Sequence, residues 1–303
     1  MADLSVKIAG VPFKNPLITA SGAFGYGKEY EQLYPLSILG GISTKGTTLE
    51  PRFGNPAPRV AETPAGMLNS VGLENPGLDH FIQEGLPYLL QKDVTIVANI
   101  AGSTIEDCME VCSRLDETDV HMIELNISCP NVKHGGAAFG TSCTSAAEIT
   151  KAVRKATKKP LMVKLSPNVT DITEIAKAVE AEGADAVSLI NTLLGMRIDI
   201  NNRRPILKQN VGGMSGPAVF PIAVRMVWQV ANAVNIPVVG MGGISRWQDA
   251  VEMMMAGAAA FQIGAALFSN PIAPIEILEG LNQYLEDNGI QTVQEIVGSV
   301  QPW

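Results

Sequence analysis

The sequence predicts an α/β protein built as a (β/α)8 TIM barrel, with a small N-terminal hairpin and loop insertions at the C-terminal mouth. Three observations point there. Short apolar runs alternate with amphipathic helical patterns, which implies a parallel sheet. About eight such units fit into 303 residues, a length common for one closed barrel. No Gly-x-Gly-x-x-Gly follows an early strand, which removes the main support for an open dinucleotide-binding sheet. Gly and Pro are spread along the chain, so no linker stands out, and residues 1–303 are expected to form a single domain.

Taken in order, Val6 to Ser21 is expected to form a hairpin over the barrel floor. Ile38 to Thr44 supplies an early strand, and a further short strand is placed near Met67. Thr95 to Ile100 is a buried-strand run. Ser103, three before Glu106, has the spacing of a capping box for the next helix. His121 to Ile127 is the next strand. Ser145 with Glu148 opens a helix whose apolar positions Ile149, Ala152, Val153 and Ala156 fall at helical spacing. Lys155, Lys158 and Lys159 suit its negative end, and Pro160 stops it. Leu161 to Leu165 reads as a strand. Asp171 with Glu174 caps a helix bearing Ile172, Ile175, Ala176 and Val179, ended by Gly183. Ala186 to Ile190 and Ile236 to Gly240 are strands, the second followed by a helix that Ser245 and Gln248 can cap. Ala258 to Ile263 gives the last strand.

Composition excludes several function classes. The formal net charge is −8, and Lys and Arg form no stripe, which argues against nucleic acid or an anionic membrane as partner. The N-terminus lacks a basic region followed by an apolar core, so no signal peptide is expected. The uncharged run Met253 to Phe268 is broken by Gly257, Gln262 and Gly264 and reads as helix then strand, not as a membrane span. A soluble cytoplasmic protein is the simplest expectation. Cys108, Cys112, Cys129 and Cys143 form no Cys-x-x-Cys pair, and only three histidines accompany them, so no metal site is expected. Cys108 and Cys112, four apart, read as ordinary helix cysteines.

Polar residues fall where the expected strands end: Lys45 after the first, Asn99 after the third, Asn126 and Cys129 after the fourth, Lys164 on the fifth, Asn191 and Thr192 after the sixth. Barrel active sites sit at this end, because strand ends and following loops converge there. One such residue is as readily structural; several in succession are not. Gly242-Gly243 and Gly264-Ala265 follow the last two strands, either as tight turns or as a phosphate cradle. Cys129 is either a buried strand-end thiol or a base, since a thiol titrates nearer neutrality than a hydroxyl. The loop after it, Asn131 to Thr141, carries Gly135, Gly136 and Gly140 and suits a lid. Lys164, inside an apolar run, needs an anionic partner, which a reduced flavin can provide.

Seven motifs in order carry a resemblance: Ala20-Ser21-Gly22, Ser43 to Gly46, Asn69 to Leu73, Glu124 to Asn131, Val163 to Pro167, Ile190 to Thr192 and Gly240 to Gly243. From Val6 to Asn270 the chain resembles the class 1 dihydroorotate dehydrogenases. The resemblance implies one FMN per chain and oxidation of (S)-dihydroorotate to orotate in pyrimidine synthesis. By that likeness Cys129 would take the proton from C5 while a hydride leaves C6. Substrate would be bound by Lys45, Asn69, Ser70, Val71, Gly72, Leu73, Asn126, Asn191 and Thr192. FMN would contact Ser21, Lys45, Gly46, Asn99, Asn126, Lys164, Ile190 and Gly216, with its phosphate on Gly242, Gly243, Gly264 and Ala265.

Membrane-bound members resemble the chain less, because they carry an N-terminal extension and a serine base. Asn191 to Met196 and Gly213 to Ala218 look like the NAD-linked type (class 1B). That likeness implies a homodimer core within a heterotetramer. The partner would be an iron–sulfur flavoprotein carrying FAD and a 2Fe-2S cluster. The alternatives are the fumarate-dependent homodimer and an FMN-dependent dihydropyrimidine dehydrogenase. Outside this class stand a phosphate-binding barrel isomerase or lyase and a non-enzymatic binding barrel.

Overall fold

The computed structural model describes residues 2–128 and 139–303. The chain begins with an antiparallel hairpin, β1 (Val6–Ile8) and β2 (Val11–Phe13). Its inward residues Val6, Ile8, Val11 and Phe13 are buried. Thr95 Oγ1 donates to Pro12 O (2.9 Å) at the start of a barrel strand, so the hairpin closes the N-terminal floor as expected.

Next come two barrel strands, β3 (Leu17–Thr19) and β4 (Gly41–Ser43), then a hairpin outside the barrel, β5 (Val60–Thr63) and β6 (Gly66–Asn69). The barrel continues with β7 (Thr95–Ile100), β8 (Met122–Asn126), β9 (Leu161–Lys164) and β10 (Ala186–Leu189). A second excursion holds β11 (Leu193–Gly195), β12 (Ile198–Asp199), β13 (Arg204–Pro205) and β14 (Gly212–Ser215). The strands β15 (Val238–Met241) and β16 (Ala260–Ile263) complete the barrel. All eight barrel strands pair in parallel with their neighbours in the chain, and β16 returns to β3 through Phe261↔Leu17 and Ile263↔Thr19. They are short and almost wholly buried, because helices cover their outer faces and side chains fill the interior.

The outer layer follows from amphipathic spacing. The helix Ile172–Ala181 buries Ile172, Ile175, Ala176 and Val179, and Asp171 caps it by accepting from Thr173 N (2.9 Å). That is the pattern the sequence shows. Neighbouring helices pack side by side, among them Ile105–Asp116, Cys143–Ala156, Phe220–Ala231 and Trp247–Met255. Cys108 and Cys112 lie buried on the inner face of the first; burial pushes the Cys108 thiol up to about 12 and Cys112 higher still, so both are unreactive thiols.

Five expectations need correction. Leu17–Thr19, assigned to the hairpin segment, is the first barrel strand; three fully buried residues carry no periodicity to reveal it. The strand near Met67 is not in the barrel but in a four-stranded sheet, β11-β14-β6-β5, so Lys45 follows the second barrel strand, not the first. The cap expected at Ser103 and Glu106 is formed by Thr104 and Asp107, because Arg52 engages the Ser103 hydroxyl and the shorter Asp107 carboxylate accepts from Ser103 N (3.0 Å) and Thr104 N (3.2 Å). The helix expected to open at Ser145 begins at Cys143, capped by Ser142, whose Oγ accepts from Ser145 N (3.2 Å). The cap expected from Ser245 and Gln248 comes from Asp249, whose carboxylate accepts from Ser245 N, Ser245 Oγ and Arg246 N at 2.9, 3.0 and 3.1 Å. An ionised acceptor satisfies three donors better than a neutral amide.

Candidate functional site

A cavity of about 870 Å³ opens at the C-terminal mouth. Barrel strand ends form its floor. One wall comes from the mouth sheet through Asn69 of β6 and Met214 and Ser215 of β14. The volume suits a small-molecule or cofactor site.

The sequence-derived residues converge here. Lys45 and Gly46 follow β4, Asn99 lies on β7, Asn126 ends β8, Lys164 ends β9, and Ile190, Asn191 and Thr192 follow β10; all line the cavity. So do Ser21, Asn69, Val71, Gly72, Leu73, Gly216, Gly242, Gly243, Gly264 and Ala265. Ser70 does not. Extended backbone alternates its side chains, so Ser70 turns away from Asn69 and Val71 and is fully buried. Its backbone joins the loop scaffold instead: Ser70 N donates to Arg59 O (2.8 Å), and Ser70 O accepts from Asn55 Nδ2 (2.9 Å). Cys129, and residues 131–138 of the segment expected to act as a lid, lie outside the described residues.

Local hydrogen bonds aim the amides. Asn126 Oδ1 accepts from Ser128 N (3.1 Å) and Ser128 Oγ (2.9 Å), so Asn126 offers a ligand its N–H donors. Ser128 Oγ in turn accepts from Asn191 Nδ2 (2.8 Å), and Asn191 Oδ1 accepts from Thr192 N (2.7 Å). Asn168 braces the next turn, donating to Thr192 O (3.0 Å) and accepting from Leu194 N (2.9 Å).

The sequence reading missed the interior behind this surface. Glu124 on β8 accepts from Ser43 Oγ and Asn99 Nδ2 at 2.6 Å each, from Ser188 Oγ at 2.7 Å and from Gln262 Nε2 at 2.8 Å. Burial pushes its carboxyl up, but the nearby Lys164 charge and the bonds from Ser43, Asn99 and Ser188 outweigh this and hold it below the ordinary carboxylate range. Lys164 therefore has a protein anion nearby, in addition to the one a reduced flavin is expected to provide. The available signal was alternation: Glu124 stands two before Asn126 and must share its inward face.

The donor set fits FMN. Asn99 Oδ1, Gln262 Oε1 and Thr192 Oγ1 are buried with no hydrogen-bond partner among the described residues, as acceptors awaiting a ligand would be. Lys45 and Lys164 bring positive charge to the same cavity. Gly242-Gly243 and Gly264-Ala265 follow the seventh and eighth barrel strands, where backbone N–H groups commonly hold a phosphate. At Gly243 the close approach is tight: φ is +80°, and a Cβ would lie 2.7 Å from Gly216 O and 2.8 Å from Phe220 Cβ.

Comparison with known proteins shows the family. Residues 3–285 match the family model described as dihydroorotate dehydrogenase. The chain is 57% identical to a protein of Bacteroides thetaiotaomicron over 302 residues, covering 99% of this chain and 100% of that one. It is 56% identical to a protein of Phocaeicola vulgatus over 302 residues, again covering 99% and 100%. It is also 56% identical to one of Alkaliphilus metalliredigens over 298 residues, covering 98% of this chain and 99% of that one. Each of the three is named dihydroorotate dehydrogenase B (NAD(+)), catalytic subunit.

Proposed function

The chain belongs to the dihydroorotate dehydrogenase family, and on that premise we propose that it is the FMN-dependent catalytic subunit of an NAD-linked enzyme oxidising (S)-dihydroorotate to orotate in de novo pyrimidine synthesis. The observation that carries this reading is the mouth cavity, which joins two lysines, a set of oriented amides and a glycine cradle in one space. Residues 1–303 would act as one FMN-binding domain.

FMN, when bound, supplies the two-electron acceptor for the hydride leaving C6 of the substrate. Cys129 takes the proton from C5, so that the C5–C6 bond becomes a double bond. Asn126, Asn191 and Thr192 hold the planar ring through hydrogen bonds, and Asn69, Val71, Gly72 and Leu73 bind the substrate, with Asn69 near its carboxylate. Lys45 and Lys164 place positive charge beside the negative charge that develops as the substrate gives up its electrons. Gly242, Gly243, Gly264 and Ala265 hold the cofactor phosphate through backbone N–H groups.

Electrons then leave through a partner flavoprotein with FAD and a 2Fe-2S cluster to NAD, within a cytoplasmic heterotetramer. The names of the relatives support an NAD acceptor and a partner subunit. The test is purification from the native host. The expected result is a yellow complex that makes orotate and reduces NAD only with the companion present. A folded, freshly isolated chain without flavin would overturn the reading and favour a phosphate-binding isomerase or lyase. Turnover of the lone chain with fumarate would overturn the NAD assignment.

A further inference from the structure

Glu124 is a charged group that the proposed chemistry does not use. It is 0% exposed and sits at the centre of the barrel. Its four donors come from β4, β7, β10 and β16, and Lys164 on β9 adds positive charge. Three of these five partners, Asn99, Lys164 and Gln262, line the cavity, whereas Glu124 lies behind them.

A carboxylate can only accept hydrogen bonds. It therefore compels the amides of Asn99 and Gln262 to turn their N–H groups inward. Their oxygens must then point elsewhere, and Asn99 Oδ1 and Gln262 Oε1 are the buried acceptors left without a partner among the described residues. A buried acceptor without a partner destabilises the empty site. A ligand bearing N–H or O–H donors completes the arrangement.

We propose that Glu124 is a positioning residue of the flavin site: it presents the Asn99 and Gln262 oxygens to the ligand and offsets the Lys164 charge, making the bound flavin harder to reduce. The inference rests on FMN occupying the cavity. It requires nothing of Glu124 in proton transfer.

The test is a redox titration of FMN-loaded Glu124→Gln beside the unchanged protein. The glutamine has the same shape but no charge. The Lys164 charge is then uncompensated, so reduced FMN gains at least tenfold in affinity over oxidised FMN. For a two-electron couple that is an upward shift of about 30 mV or more. Glu124→Asp, which keeps the charge, should return the potential toward the unchanged value. An unshifted potential in a variant that retains FMN would overturn the inference. If Glu124→Gln does not fold, Glu124→Gln/Lys164→Gln decides. Read beside Lys164→Gln alone, the double variant should titrate at the higher potential, because it lacks the Glu124 charge; equal potentials in the two would overturn the inference. Absence of FMN from the unchanged protein would instead overturn the functional reading.

Discussion

At Gly243 the backbone passes within contact distance of Gly216 and Phe220 in a left-handed conformation, so a methyl group there has no room. Gly243→Ala is expected to strain the turn by about 1–3 kcal/mol. Each 1.4 kcal/mol is about a tenfold loss of affinity if the strain falls on the bound state. FMN should be lost on gel filtration while the far-ultraviolet circular dichroism is unchanged. Full retention of FMN would separate this turn from the phosphate. Cys129→Ala makes the complementary prediction. Flavin content should be preserved, and the rate of flavin reduction by dihydroorotate should fall roughly 100- to 10,000-fold, the usual contribution of a positioned base. An unchanged rate in stopped-flow absorbance would remove Cys129 from that role.

Among the elements, His121 links β7 and β8 at their N-terminal ends. Its Nδ1 accepts from Ile96 N (3.0 Å) and so must be unprotonated. Burial, aided by the Lys159 charge, lowers its pKa below the ordinary 6.5. The folded state thus disfavours the protonated ring, and the unfolded chain takes up the proton first as pH falls. Stability is full above pH 6.5 and is lost as pH drops from there through the lowered folded value. Denaturant midpoints measured on either side of that window should fall toward acid. The fall should be smaller in His121→Asn, whose side-chain oxygen can still accept; equal slopes would contradict the assignment. Helix caps give a second reading at this scale. Thr104→Ala should lower stability by about 1 kcal/mol in chemical denaturation.

The elements also explain what the sequence could reveal. The helix Ile172–Ala181 was legible because cap, buried stripe and stop all agree. The first barrel strand, Leu17–Thr19, was not, since three buried residues have no period and only the closed ladder identifies them. Strand-end residues such as Lys45, Asn99 and Asn191 were legible as a cluster because a closed barrel brings successive ends together. Glu124 escaped notice because its four neutral donors are scattered over strands distant in sequence. Ser70 was indistinguishable from Asn69 and Val71 until the direction of the backbone was known.

On the scale of the molecule, one closed barrel carries two excursions that join in the mouth sheet β11-β14-β6-β5. No helix among the described residues is long and apolar enough to cross a membrane. The electron route proposed above runs to another polypeptide. Mixing the purified chain with its companion flavoprotein should confer NAD reduction by dihydroorotate, read as absorbance of the product NADH. Failure of the pair to reduce NAD, with each protein fully loaded with cofactor, would contradict this route.

The most direct measurement is an anaerobic titration of the purified chain with (S)-dihydroorotate, following visible flavin absorbance and orotate together. The expected result is bleaching of the flavin with one orotate formed per FMN. A folded chain that contains FMN but neither bleaches nor forms orotate would contradict the central claim.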